Sequence, residues 1–264
     1  TIWRKHFGAD SLEEANKIIQ TIDGGYAVIG YSAGSLSIYN EIYFVKTNSI
    51  GVQSWAKQIG GNGHERATAI IQLSSGEYLI GGRSDFLTNG QFDFYLIKTT
   101  VNGDTVWTRN YGGLQNEEAF DLIQTSDGGN ILCGFTESYT NGMKDYFLVK
   151  TDSIGDTTWT RHYGGTFDEL AFSVYQTSDG GFITTGYMQT LGPISIDQNI
   201  YVVRTDPFGD TLWTKTYGQP GRQSWGKDII QTNDGGYILA GVSSSVNGDI
   251  TNFRGDLDYW IVKL

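Results

Sequence analysis

The hexapeptide QTSDGG occupies residues 124–129 and returns, letter for letter, at 176–181. Looser copies stand at 20–25 (QTIDGG), 72–77 (QLSSGE) and 231–236 (QTNDGG), so one turn is written five times. Tryptophan marks the same interval: Trp3, Trp55, Trp107, Trp159 and Trp213 are spaced 52, 52, 52 and 54 residues apart. A fixed period of this length identifies a repeat architecture before any local assignment is made.

Within the third unit four runs read as strands: AFDLIQT, NILCGFT, DYFLVKT and TTWTRHY. Each is rich in β-branched and aromatic residues and bounded by turn chemistry. SDGG joins the first pair and DSIGD links the third run to the fourth, and such Gly-containing links close antiparallel hairpins. Neighbouring apolar residues in the inner runs, as in YAVIG and YFLV, mean that both faces of each sheet are covered. Repeated four-stranded sheets buried on both faces are the blades of a β-propeller. The fold expected is therefore all-β, a five-bladed β-propeller with four antiparallel strands per blade. Its units run over about 3–54, 55–106, 107–158, 159–212 and 213–264. Residues 1–8 (TIWRKHFG) match a fourth strand, while the chain ends at DYWIVKL, a third strand. The N-terminal strand is thus expected to complete the last blade and close the ring as one domain over 1–264, abolishing exposed edges.

At 264 residues a stable core needs neither disulfide nor metal. The one cysteine, Cys133, sits in an apolar run and reads as a small buried hydrophobe. No apolar run approaches the roughly 18 residues of a membrane span, so no membrane insertion is expected, and no signal peptide opens the chain. The formal charge is −11, and ten of the eighteen basic residues fall at two fixed repeat positions, exemplified by Lys46 and Lys150 and by Lys57 and Arg161. Basic residues tied to a scaffold in an acidic protein argue against a nucleic-acid groove, which needs clustered positive potential, so no nucleic-acid partner is expected.

The repeat resembles one found in secreted and surface-attached bacterial proteins of the Bacteroidetes type, with consensus W-x-K-x-Y-G-G, E-x-A, I-x-Q-T-x-D-G-G-Y and D-x-x-L-V-K-T-x-x-x-G-D. The match covers the whole chain and is best in the third unit, at Trp107, Tyr111, Gly112, Gly113, Glu117, Ala119, Gln124, Asp127, Asp145, Lys150, Gly155 and Asp156. The resemblance implies a propeller and an extracellular or cell-surface location, and little about chemistry.

Residues invariant between copies read first as scaffold. Glu13, Glu65, Glu117 and Glu169 recur before the inner strand, with Ser224 at the fifth place. They read either as an acidic ring at a channel mouth, able to hold a cation or a sugar hydroxyl, or as acceptors for backbone N–H groups or for a neighbouring Lys or Arg. Two solvated carboxylates about 8 Å apart repel by only roughly 0.5 kcal/mol, so a ring needs no metal. Gln20, Gln72, Gln124, Gln176 and Gln231 suit satisfying backbone groups, because an amide both donates and accepts. The Asp of DGG reads as a turn residue bonded to its own backbone.

Departures from the repeat are the better ligand-binding candidates. The fifth link, QPGRQSWG, introduces Arg222 and Trp225, residue types enriched at binding hot spots. Phe167, Phe86, Tyr139, Tyr39 and Phe253 add aromatics on the same expected face, the face of variable loops. GYSAG at 30–34 fits a serine-nucleophile pattern, yet no helix follows it, and Ser32 is not taken as a nucleophile. Arg254-Gly255-Asp256 is a chance-level tripeptide, and His6, His64 and His162 lack metal-ligand spacing, so neither metal nor cofactor is expected. The function expected is a monomeric, extracellular, non-catalytic binding or interaction module for a glycan or cell-surface protein. A glycoside hydrolase or lyase is the alternative, with Asp121 and Asp228 the least explained acids. A purely structural spacer in a larger surface protein is a third reading.

Overall fold

A computed structural model describes residues 2–8, 12–33, 39–86, 91–140, 142–192, 196–244 and 256–264. Phe253 and most of the 243–255 loop lie outside these. Among the described residues the chain is all β, and every strand neighbours its predecessor or successor in an antiparallel meander. The chain divides into two compact units, Thr1–Gln124 and Thr125–Leu264.

The first unit holds β1 (Leu12–Gln20), β2 (Tyr26–Ala33), β3 (Asn40–Thr47) and β4 (Gln53–Ile59) as one sheet. A second sheet follows, made of β5 (Glu65–Gln72), β6 (Tyr78–Ser84), β7 (Asp93–Thr99) and β8 (Thr105–Tyr111), and then β9 (Glu117–Gln124). The second unit continues with β10 (Asn130–Thr136), β11 (Asp145–Thr151) and β12 (Thr157–Tyr163). Next comes a sheet of β13 (Glu169–Gln176), β14 (Phe182–Leu191), β15 (Ile196–Thr205) and β16 (Thr211–Tyr217). The last sheet has three strands, β17 (Ser224–Gln231), β18 (Tyr237–Ser243) and β19 (Asp258–Lys263). Of the four runs read from the third repeat, the last three coincide with β10, β11 and β12, and the first, 119–125, overlaps β9.

Within each unit first strands lie side by side, β1 by β5 and β5 by β9 in the first, β13 by β17 in the second. This is the stacking of propeller blades, and it explains the continuous apolar runs. In β10 and β11 every residue is buried, Cys133 included, whereas the outer strand β12 alternates. Between sheets of the first unit, Ile29, Phe44, Ile70, Tyr78 and Ile80 form a buried hydrophobic core. Trp55 wedges against it, its ring 4.8 Å from Phe44 and 6.3 Å from Tyr78. The repeated tryptophan thus ties an outer strand to the next sheet, and Trp213 meets Tyr237 at 6.0 Å in the same way.

The DGG hairpin turns because its first glycine has positive φ, +85° at Gly180, a region costly for side chains with a Cβ. First strands carry a β-bulge, between Ala67 and Ala69 in β5. The bulge brings the Arg66 carbonyl against β6 at Gly82, where a Cβ would overlap it.

One element differs from expectation. Residues 2–8 carry no strand, and the last sheet stops at three strands. A segment becomes a strand only when a neighbour accepts its ladder, and β19 leaves Tyr259 and Ile261 exposed. Trp3 nevertheless stands 5.9 Å from Tyr26, as its sister tryptophans stand on theirs.

Candidate functional site

The turn end of the sheets is consumed by the scaffold. In the second QTSDGG copy Asp179 accepts from the Thr177 hydroxyl at 2.6 Å, the Gly181 N–H at 3.2 Å and the Arg204 guanidinium at 2.5 Å. Asp23 has the same surroundings, and the Lys46 ammonium, with the Thr21 hydroxyl and Gly25 N–H, holds its carboxyl down at about 2. Gln176 donates to the Gly180 carbonyl and accepts the Ser126 N–H at 2.7 Å. Gln72 accepts the Ile22 N–H, and Gln231 the Ser178 N–H. Each amide bonds its own turn and the turn one repeat earlier. The second set of bases is used likewise: Lys57 pairs with Asp104 at 2.7 Å and Arg161 with Asp210 at 3.2 Å.

The repeated glutamates are interior groups. Glu65, Glu117 and Glu169 are buried at the starts of β5, β9 and β13, while Glu13 is half-buried. Each buried one faces an acid that begins a third strand: Glu41 for Glu65, Asp93 for Glu117, Asp145 for Glu169. Gly60, Gly112 and Gly164 stand at these contacts, and a Cβ there would overlap the carboxyls. Backbone N–H groups reach them, Gly113 to Glu117 at 2.9 Å and Gly165 to Glu169 at 2.8 Å. Burial, then the Glu117 charge and a hydrogen bond to it, push Asp93 up to about 7. Burial also pushes Glu169 up to about 7, with Asp145 and Asp168 adding to it. At the fifth place the pair is neutral: Ser224 bonds Ser243 at 2.8 Å and Asn199 replaces the aspartate. The partner acids were legible as the D that opens the third-strand consensus, but nothing local says what they face.

Departures from the repeat gather at the loop end. In the second unit Trp225 is half-buried and donates from Nε1 to Gln198 at 2.6 Å. Lys227, at the bulge, places its ammonium 5.6 Å from the Trp225 ring and 4.4 Å from Phe172, which packs 5.8 Å from Tyr187. Arg222 is half-buried in the turn before β17, its carbonyl accepting the Gln198 N–H. Phe167 is half-buried, and Tyr139 is 46% exposed against Phe147. These residues form no single cluster with Trp225. In the first unit Phe86 covers Gly61 and Gly63, and Tyr39 meets the His64 ring at 5.4 Å. Ser32 is buried in β2.

Two residues passed over in the sequence complete the first unit's site. Arg66 and Arg83 stand opposite each other in the β5–β6 register. They line a pocket of about 390 Å³ with Tyr31, Asn40, His64, Glu65 and Phe92. Their signal was present: sister copies carry Glu14, Glu118, Leu170 and Trp225 at the first position, and Tyr31, Phe135, Tyr187 and Val242 at the second. Asp121, in β9, and Asp228, in β17, both lie on first strands, and Asp228 accepts from the Ser173 hydroxyl at 2.9 Å.

No family model and no curated protein matches the chain. Among solved structures it is similar to the WD40 domain of Pan2 from Neurospora crassa, at 11% identity over 88% of this chain and 75% of that one, TM-score 0.48. It is similar to the GH32 β-fructofuranosidase of Bombyx mori, at 12% identity over 86% of this chain and 55% of that one, TM-score 0.44. A GH43 β-xylosidase/α-arabinofuranosidase from a compost metagenome matches at 11% identity over 96% and 90%, TM-score 0.42. Likeness at this level assigns no activity. It does correct the expectation that the chain is not an enzyme: with glycoside hydrolases among the similar structures, catalysis stays open.

Proposed function

We propose that this chain is an extracellular saccharide-binding module on a five-bladed propeller, its ligand held by the loop end of the sheets. One observation supports the reading: the repeat-invariant aspartates, glutamines and bases are spent on the DGG turns and on bonds between them, while within each unit the departures from the repeat, Arg66 and Arg83 in the first and Trp225 and Lys227 in the second, stand at or beside the starts of first strands. Aromatic faces beside hydrogen-bonding amides suit sugar rings, which present apolar C–H faces and hydroxyl rims. Trp225, braced by Gln198 and flanked by Lys227, is the aromatic anchor of the second unit.

The ring is part of the proposal. In this reading residues 1–8 pair beside β19 as the fourth strand of the last sheet and close the ring within one monomer; the exposed Tyr259 and Ile261 and the repeat-like seat of Trp3 favour it.

A glycan array read with the purified chain and with Trp225→Ala tests the function. The expected result is a reproducible saccharide hit weakened about tenfold or more in the variant, as truncation of an aromatic hot spot does. An empty array, or a hit indifferent to Trp225, overturns the assignment of that anchor. Every sugar that binds is assayed for cleavage as well, since catalysis is open.

A further inference from the structure

The start of β17 has lost the negative charge that its sister strands carry. Ser224 and Asn199 stand where the preceding repeat has Glu169 and Asp145, and Ser224 is spent on Ser243. The same seam gains two bases. Arg222 precedes the strand, and Lys227 takes the bulge position at which the other repeats carry Asn16, Thr68, Phe120 and Phe172, none of them charged. In a chain of net charge −11, carboxylates here give way to neutral groups while cations arrive.

The scaffold does not use Lys227. In the same unit Lys150, Arg161 and Arg204 each pair with an aspartate. Among the described residues Lys227 and Arg222 form no ion pair. Asp228, next in the chain, is engaged elsewhere, accepting the Ser173 hydroxyl and the Ile229 N–H, each at 2.9 Å. The Lys227 ammonium lies instead over two rings, 4.4 Å from Phe172 and 5.6 Å from Trp225. The side chain is exposed, so a ligand reaches it. Where it lies against the rings it loses water, which pushes its pKa below that of an ordinary lysine. A cation held by π faces alone keeps its charge unneutralised.

The frame around it is fixed. β14 and β15 run for ten residues each, against seven in β10 and β11, and the extension of β15 carries Gln198. Gln198 accepts the Trp225 indole N–H, and its own N–H bonds the Arg222 carbonyl. Gln223 is tied to Ser244 by two further bonds. Binding at Trp225 therefore need not order the turn that presents it.

We infer that the Trp225 site takes an acidic sugar, whose anionic group pairs with the Lys227 ammonium while its ring lies against the indole. The inference rests on the saccharide reading above and narrows it to a charge class. An ammonium is a point charge without the planar fork of a guanidinium, so a uronate carboxylate and a sulfate ester share this chemistry.

The test is calorimetric titration of the whole chain with two matched pairs: oligogalacturonate and its methyl ester, and oligo-carrageenan and its desulfated form. The parent, Lys227→Met, Lys227→Arg and Trp225→Ala are compared, with Lys227→Gln added if Lys227→Met melts early. The expected result is an acidic member bound about tenfold or more tighter than its neutral counterpart, the pair that shows it naming the anion. Lys227→Met should erase the preference and Lys227→Arg keep it, and the acidic sugar should weaken as salt rises. Neutral members bound as tightly as acidic ones, and lost in Trp225→Ala, overturn the acidic assignment and leave the saccharide reading standing. A preference unchanged in Lys227→Met overturns the role of Lys227. No binding by any sugar overturns both readings.

Discussion

Single side chains set the pH behaviour of this protein, and Asp93 shows how. Its carboxyl is buried against Glu117 and is pushed up to about 7 from 3.8. A group whose folded pKa is raised holds its proton more tightly in the folded state, so stability is greatest below about 4. It falls as pH climbs toward about 7 and is flat, with respect to this group, above that. Asp93→Asn removes the ionisation while keeping the shape and an N–H donor for Glu117. The variant should match the parent in urea denaturation near pH 4 and exceed it at pH 8, by on the order of 2–4 kcal/mol. A variant less stable than the parent at pH 8 would show that the ionised Asp93 is a favourable partner. This residue was legible in the sequence only as a recurring acid. That it faces Glu117, 24 positions on, depends on how β7 and β9 pack, which no local pattern records.

At the scale of elements, hairpins are held from within and staples run between them. Gln176 exemplifies both, since one amide bonds the Gly180 carbonyl of its own turn and the Ser126 N–H of the turn one repeat earlier. The exposed end of that bond is open to water, so Gln176→Leu should cost about 1–2 kcal/mol in chemical denaturation, with the strands unchanged by circular dichroism. No loss of stability would mean that water replaces both bonds. The expectation that these glutamines satisfy backbone groups came from amide chemistry alone; the identity of the groups came from the sheet stacking.

For the whole molecule, the proposed ring closure by residues 1–8 has a direct test. In the third repeat Leu148 lies opposite Arg161, and the repeat carries these positions onto Ile261 and Lys5. If residues 1–8 complete the last sheet, Lys5→Cys with Ile261→Cys brings two Cβ atoms within disulfide reach. Mild oxidation should then give an intramolecular bridge, seen as faster migration on a non-reducing gel and a higher Tm than the reduced form. Cys133, being buried, should not compete. Failure to bridge, or bridging only between molecules, would sink closure by this strand. By itself the sequence determined the repeat, the strands, the hairpin turns and which residues depart from the pattern. All of these rest on interactions a few residues long: turn hydrogen bonds, positive-φ glycines and strand periodicity. Only the tertiary structure decided that the glutamates are interior and acid-paired, and that Arg66 and Arg83 share one pocket with Tyr31 and Phe92. Those are meetings between separate strands and sheets, fixed by register and close packing, and a single chain of letters does not state which distant side chains will share a space.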